Sequence, residues 1–234
     1  MRSTTTQAGH RPDGDPCWVE LPSEAGAPLL LCYTTLLGWR FDENAHVGGY
    51  RRSWVGERKV AGIGGPALPR PSAGWRGYVS TSDLAESLRR TAAAGGRLVT
   101  GPVDVSPDGL FALVEDPVGV AVGLFQPGTD RGTQEASDQV GCVAGWVLES
   151  PDPEASVAFH RTLFGSWPSG VRAVPSLTGD GTWRACFAVG ENSSSWHSGR
   201  AWPVSQPSAD IREVTDIEGN QVLIRRIASP DQPV

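Results

Sequence analysis

The chain carries one ordered set of landmarks twice, and the second copy is the shorter. Leu36-Leu37-Gly38-Trp39 is answered by Leu163-Phe164-Gly165-Ser166, each behind an apolar helical segment with a matched residue pair, Cys32-Tyr33 and Phe159-His160. Asp116-Pro117-Val118-Gly119 is answered by Asp216-Ile217-Glu218-Gly219, each ahead of a terminal apolar strand. The first landmarks lie 127 residues apart and the second 100 apart, so the second copy has lost about 27 residues. A duplicated small unit closes its core, and often its binding cleft, against its twin.

Local patterning repeats with the landmarks. Residues 18–21 read as a strand, 27–37 as an apolar helix stopped by Gly38, 39–41 as a strand start, and 50–55 with 59–63 as a hairpin around Gly56-Glu57. Residues 64–74, with Pro66, Pro69 and Pro71, read as a crossover loop. The order then recurs: a strand at 75–80, an amphipathic helix at 83–94 with Ser82 or Asp83 as expected N-cap and Gly95-Gly96 at its end, and strands at 98–105, 110–115 and 120–125. In the second half, strands are expected at 143–149, 183–189, 201–205, 211–215 and 221–227, a helix at 153–164, and a Ser-rich loop at 191–199. The missing residues are expected where that half's second strand–helix pair belongs. The organisation follows: a disordered tail at 1–14, a first domain at 15–127, a polar linker at 128–140, a shortened second domain at 141–228 and a tail at 229–234.

A formal net charge of −6 argues against nucleic acid or an anionic membrane as partner, since both need basic patches. The cysteines Cys17, Cys32, Cys142 and Cys186 have no CxxC spacing, so buried free thiols are expected. No apolar run reaches the length of a membrane span, and no apolar leader is seen near the start, so a cytoplasmic protein is expected. Tryptophan is the compositional outlier, nine against three tyrosines and six phenylalanines. Two readings stay open for it: large core filler, or a wall of flat rings for an aromatic ligand.

The ordered series resembles the vicinal oxygen chelate superfamily of glyoxalases, bleomycin-resistance proteins and extradiol dioxygenases, in particular its two-domain branch often labelled hydroxylase. The matching residues are Pro16-Cys17-Trp18-Val19-Glu20-Leu21, Cys32-Tyr33 with Leu36-Leu37-Gly38-Trp39, Val60-Ala61-Gly62-Ile63, Gly95-Gly96, Glu115-Asp116-Pro117 with Gly119, and Leu124-Phe125-Gln126-Pro127. In the second half they are Asp152-Pro153-Glu154-Ala155, Ala158-Phe159-His160, Leu163-Phe164-Gly165 and Asp216 with Gly219-Asn220. The resemblance implies an α+β fold of tandem βαβββ modules, forming two glyoxalase-like domains whose mixed sheets curl around clefts, the second truncated. Many members hold a divalent metal through His and Glu. The matching positions here fall on Trp18, Gly145, near Arg76, Gly123 and Leu223, which are not ordinary ligands. His10, His46, His160 and His197 supply no alternative, so no metal and no cofactor are expected.

Catalysis would then use side chains. If Trp18 faces the cleft, strand alternation puts Glu20 beside it, where a half-dry site makes a carboxylate a general acid or base. Otherwise Glu20 is a solvated strand end or a partner of Arg76. Arg76 and Tyr78 share one strand face and join Glu20 as the candidate catalytic set. Tyr50, Arg52 and Trp54 alternate along their strand and, with Trp18, Trp75, Trp196 and His197, are the candidate substrate-binding residues. The expected function is metal-independent acid–base tailoring of an aromatic or polyketide-like small molecule: cyclisation, isomerisation, dehydration or hydration. A sequestering antibiotic-binding protein and a metal-dependent dioxygenase or glyoxalase-like enzyme are the alternatives. Expected partners are that small molecule and, in assembly, a pseudo-dimeric monomer or a homodimer.

Overall fold

Alternating apolar residues start each half with a strand that has one face for the core and one left over. The computed structural model describes residues 11–24, 26–44, 46–65, 74–130, 132–177, 179–201 and 210–228, with backbone alone at Val47, Ser195 and Trp196. The first unit is β1 (Pro16–Leu21), α1 (Ala27–Leu37), β2 (Arg40–Phe41), β3 (Arg51–Val55) and β4 (Arg58–Ile63). The second is β5 (Arg76–Ser80), α2 (Leu84–Ala93), β6 (Arg97–Asp104), β7 (Gly109–Glu115) and β8 (Ala121–Pro127). The third is β9 (Val143–Ser150), α3 (Pro153–Phe164) and β10 (Arg172–Pro175). The fourth is β11 (Thr182–Gly190), α4 (Ser194–Ser198), β12 (Arg200–Ala201), β13 (Ile211–Thr215) and β14 (Gln221–Ile227).

Helix ends follow local chemistry. Gly38 and Gly165 end α1 and α3 with φ of 70° and 82°, a conformation that glycine adopts without penalty. Asp152 caps α3, its carboxylate accepting from the Ala155 N–H at 3.0 Å. Of the two expected caps of α2, Ser82 and Asp83, the helix uses Asp83, which accepts from the Glu86 N–H at 2.9 Å. The reason is competition: the Ser82 hydroxyl donates to Asp13 at 2.7 Å.

Units one and two share one curled sheet in the order β2-β3-β4-β1-β5-β8-β7-β6, with β1 parallel to β4, β5 parallel to β8, and β1 antiparallel to β5. Units three and four repeat this as β10-β9-β11-β14-β13-β12. The two sheets join through one parallel bridge, Thr182 to Ala121. Because β10 pairs in parallel with β9 as β4 does with β1, β10 is the counterpart of β4. The third unit therefore lacks the two strands that precede it. The fourth unit keeps its first strand and shortens its helix to five residues. This corrects the expected place of the shortening. Arg172-Ala173-Val174-Pro175 is too brief to show strand alternation, so β10 was missed.

The helix-facing sides of both sheets bury one continuous core. Val19, Leu21, Tyr33, Trp39 and Trp75 meet Trp146, Trp183, Phe187 and Ile224 there. Trp39 stacks on Tyr33 at 5.3 Å and meets Phe187 edge-on at 5.1 Å. A ring in such a setting contributes about 3–5 kcal/mol against alanine. Among the described residues the tryptophans are therefore mostly core, which also corrects Trp75 as a substrate-binding residue: it is buried, and its N–H donates to the Tyr33 hydroxyl at 2.9 Å.

Two turns lock the halves. Asp116 Oδ1 accepts from the N–H groups of Val118 and Val120, while Oδ2 accepts from the Ser156 hydroxyl of α3 at 2.5 Å. Asp216 Oδ1 accepts from Glu218 and Asn220, while Oδ2 accepts from the Tyr33 hydroxyl of α1 at 2.7 Å. Each repeated Asp turn thus ties its own strands and grips the other half's helix.

Residues 11–14 do not behave as the expected tail: the Gly14 N–H donates to the Ser80 carbonyl at 2.8 Å, continuing the pairing of β1 with β5. The stretch expected as a linker is also docked. Thr133 is buried, its N–H donating to the Cys17 carbonyl at 2.7 Å, and the Gln134 N–H donates to Lys59 at 2.8 Å. Arg11 bonds the Thr133 carbonyl and Glu135. The described thiols are free, with Cys17, Cys142 and Cys186 buried and Cys32 half-buried.

His160 sits among Phe164, Trp167 and Trp183, at ring separations of 4.9, 5.0 and 5.5 Å. Burial lowers its pKa from 6.5 to about 4. The unfolded chain therefore binds a proton near pH 6.5 that the folded chain refuses until about 4, so stability falls as pH drops through that window. The expected loss at pH 5 relative to pH 8 is about 2 kcal/mol. His160→Asn should remove that slope, read as the change in urea midpoint between the two pH values.

Candidate active site

The faces turned away from the shared core form two separate concavities. On the first, strand pairing sets Trp18 opposite Tyr78 and Glu20 opposite Arg76, with an irregularity between Pro16 and Trp18 that leaves Cys17 unpaired. Gly62 of β4 lies beside Glu20, and Gly123 of β8 lies beside Tyr78. These two glycines are required. A Cβ on Gly62 would stand 1.9 Å from the Tyr50 hydroxyl, and one on Gly123 would stand 1.9 Å from the Tyr78 ring. Two tyrosines therefore lie flat on bare backbone, one on each side of Glu20.

The polar groups form one array. The Tyr78 hydroxyl donates to Glu20 Oε1 at 2.5 Å, and Arg76 Nη1 lies 3.4 Å from the same oxygen. Trp18 Nε1 donates to the Tyr50 hydroxyl at 2.9 Å. Burial pushes the Glu20 carboxyl up from its ordinary value, against the lowering effects of the Tyr78 hydrogen bond and the Arg76 charge. Burial, then the Glu20 charge, push both Tyr50 and Tyr78 well above an ordinary phenol. Near neutral pH both phenols hold their protons. Glu20 keeps 16% of its side chain exposed, so a ligand edge can reach it, while Arg76 keeps 7%. Phe111, Phe125 and Val99 pack half-buried around Tyr78 and Trp18 as the apolar wall.

The curl of the sheet is visible in one ion pair. Arg52 on β3 and Asp108 before β7 are five strands apart, about 24 Å in a flat sheet. Yet Arg52 Nη2 meets Asp108 Oδ2 at 2.5 Å, so the two walls touch across the mouth. Beside this clasp, Lys59 pairs with Asp130 and holds its ammonium 5.2 Å over the Trp18 ring.

Glu20, Arg76, Tyr78, Trp18, Tyr50 and Arg52 are thus brought to one concavity. Trp54 is not part of the array: its N–H donates to Asp42 at 2.7 Å at the sheet edge. Trp75 belongs to the core. His197 is exposed on α4, which packs on β13 of the other sheet, and the Trp196 side chain lies outside the described residues. Asp108, Gly62 and the ring-on-glycine packing were not read from sequence; a glycine inside each of two strand runs was the available signal.

Many proteins of this architecture hold a divalent ion in such a concavity. Here the corresponding row presents an indole at Trp18, a hydrogen-bonded phenol at Tyr78 and no side chain at Gly62 or Gly123, and the two tyrosine rings fill the space above the glycines. Among the described residues no cluster of His, Cys, Asp or Glu could hold a metal. This donor set does not fit a divalent ion.

The second concavity matches the first in register but not in chemistry. Gly145 pairs with Cys186 and Val147 with Arg184, so they stand where Trp18, Tyr78, Glu20 and Arg76 stand in the first. Only the arginine is kept. Arg184 bonds Glu149 at 3.0 Å and Glu213 at 3.1 Å, on a floor of Val147, Cys186 and Leu223. Burial pushes the Cys186 thiol up to about 12, against the pull of Arg225, Arg184 and Arg172. The repeated Trp-Arg dipeptide, Trp75-Arg76 and Trp183-Arg184, is the signal that marks this pair in sequence.

Gly123→Ala should push the Tyr78 ring off its seat and away from Glu20. The expected cost is about 1–3 kcal/mol in thermal or urea unfolding, with altered tyrosine near-ultraviolet circular dichroism. An unchanged stability and spectrum would contradict the packing described.

No protein-family model matches the chain. It is 27% identical over 159 residues to CFP32 of Mycobacterium tuberculosis (strain CDC 1551 / Oshkosh), which carries the provisional name glyoxylase; the match covers 65% of this chain and 60% of that protein. It is 28% identical over 173 residues to the anthracycline biosynthesis protein DauV of Streptomyces sp. (strain C5), and 29% identical to DnrV of Streptomyces peucetius. Each of these matches covers 67% of this chain and 62% of the relative. The chain thus spans about three fifths of the length of the curated relatives it matches. Among solved structures, homoprotocatechuate 2,3-dioxygenase from Arthrobacter globiformis aligns with a TM-score of 0.58 at 15% identity, over 100% of this chain and 87% of that one. The Mn(II)-bound glyoxalase from Novosphingobium aromaticivorans aligns at 0.59 and 11%, over 95% and 89%. At these identities the structural likeness is one of fold. No helix among the described residues is long and apolar enough to cross a membrane. The ordered repeat, the strand pairing and the likeness in both sequence and fold all support the vicinal oxygen chelate superfamily.

Proposed function

We propose that this protein is a tailoring enzyme of natural-product biosynthesis, moving a proton on an aromatic or polyketide-like small molecule at the first concavity without a metal ion. The observation that carries this reading is the 2.5 Å hydrogen bond from Tyr78 to Glu20 with Arg76 beside it. A carboxylate raised by burial is a stronger base than one in water, and a fixed guanidinium steadies the negative charge that proton removal creates. Glu20 takes the proton, Arg76 faces the oxygen that gains charge, and Tyr78 holds the carboxylate in place and can return a proton. Isomerisation, cyclisation, dehydration and hydration all fit these roles. The anthracycline-biosynthesis relatives supply the substrate theme, and fold alone would not.

Residues 15–127 form the working domain in this reading, and 141–228 a partner that completes the core. The second concavity has Val147 where the base would be, which supports a single catalytic face. A binding-only reading draws on a different observation: Trp18, Phe111 and Phe125 line the site as an apolar aromatic wall, and that wall needs no base.

The two readings separate in one experiment. Glu20→Gln should lower turnover of a polyketide-type substrate by about a hundredfold or more, while quenching of tryptophan fluorescence shows ligand binding retained. Turnover of the unaltered protein should also survive treatment with a metal chelator. Retained turnover in Glu20→Gln would leave the binding role; loss on chelation would return a metal to the mechanism.

A further inference from the structure

Glu20 lies on the central strand of the site, and hydrogen-bond donors flank it on both sides. On the β4 side, Tyr50 lies on Gly62, the residue paired with Glu20. Its oxygen accepts the Trp18 N–H at 2.9 Å, and among the described residues no acceptor takes its own proton. On the β5 side, Arg76 is paired with Glu20. Its Nη1 is 3.4 Å from the Glu20 carboxylate, while its Nη2 is buried with no partner among the described residues. A buried donor left unpaired in the free protein gains most from a ligand oxygen placed against it.

One base between two unspent donors has a specific complement. We propose that the substrate is a 1,3-dioxygenated compound, with two carbonyl-type oxygens flanking the carbon whose proton is removed. This rests on the acid–base role assigned to Glu20, and extends it to the ligand class and to Tyr50, which becomes a donor to substrate oxygen rather than a stacking surface alone. Glu20 takes the proton from the carbon between the two oxygens. The electron pair of the broken C–H bond forms the C=C bond of an enolate, and the carbonyl π pair moves to oxygen. Tyr50 O–H holds one oxygen and Arg76 Nη2 the other, while the half-buried Trp18 offers a flat surface for the planar enolate. Return of the proton from Glu20 to carbon or to oxygen completes the step with no oxidant or second reactant.

Titration calorimetry with 1-phenylbutane-1,3-dione and the matching monoketone 1-phenylbutan-1-one tests the ligand class. The diketone should bind on the order of ten- to hundredfold more tightly, because the monoketone leaves one donor unmet. Tyr50→Phe keeps the ring over Gly62 and should remove most of that preference; Arg76→Met should do the same. Equal affinity of the two ketones, or a preference untouched by Tyr50→Phe, overturns the inference. Glu20→Gln distinguishes the two levels of the argument. It should keep the diketone preference but lose the enolate absorbance seen with the unaltered protein. Enolate absorbance that persists in Glu20→Gln defeats the base assignment while leaving the recognition of two oxygens standing.

Discussion

The antiparallel pairing of β1 with β5 is the contact on which the rest of the structure depends. It joins the first two units into one sheet and lays Glu20 against Arg76 and Trp18 against Tyr78. It also sends each strand's other face, Val19 and Leu21 or Val79, into the core. A slip of one residue would exchange the two faces, burying Glu20 and Arg76 among tryptophans and exposing leucine. Register here is therefore set by the core, and the chemistry of the concavity follows from it. The same pairing recurs between β9 and β11, where Arg184 repeats Arg76 but Val147 stands in for the carboxylate.

Duplication accounts for the way the halves hold together. Both sheets turn their helix-bearing sides inward, so a single core serves both and neither half has to bury its apolar face alone. The two Asp turns complete the junction, Asp116 through Ser156 and Asp216 through Tyr33. This arrangement tolerates the loss of two strands in the third unit. Those strands belong to an outer wall, so their removal leaves the shared core intact. It takes away a cleft wall instead, which leaves the second face without the clasp that Arg52 and Asp108 make on the first.

Much of the architecture is legible in the residues. The bounds of α1, α3, β13 and β14 follow from periodicity and from their Gly and Asp punctuation. The short β10 is invisible because four residues ending in proline carry no period. Asp83 rather than Ser82 caps α2, because Ser82 finds Asp13, a partner 69 residues away that local rules do not see. In the site, alternation places Glu20 beside Trp18, and Arg76 beside Tyr78. The same alternation turns Trp75, the neighbour of Arg76, to the core face, so its expectation as a substrate contact came from residue type alone. It could not separate Trp54 from the array, because that depends on Asp42 claiming its N–H.

By itself the sequence determined the repeated unit and its strand and helix order. These are local properties, written in periodicity and in residue type. Only the tertiary structure decided which concavity gathers a carboxylate between two tyrosines, which tryptophans are core, and that Tyr50 and Tyr78 lie on Gly62 and Gly123 around that carboxylate. Those outcomes depend on residues far apart in the chain meeting at fixed register across curled strands. That meeting is a property of the closed sheet, and no stretch of sequence contains it.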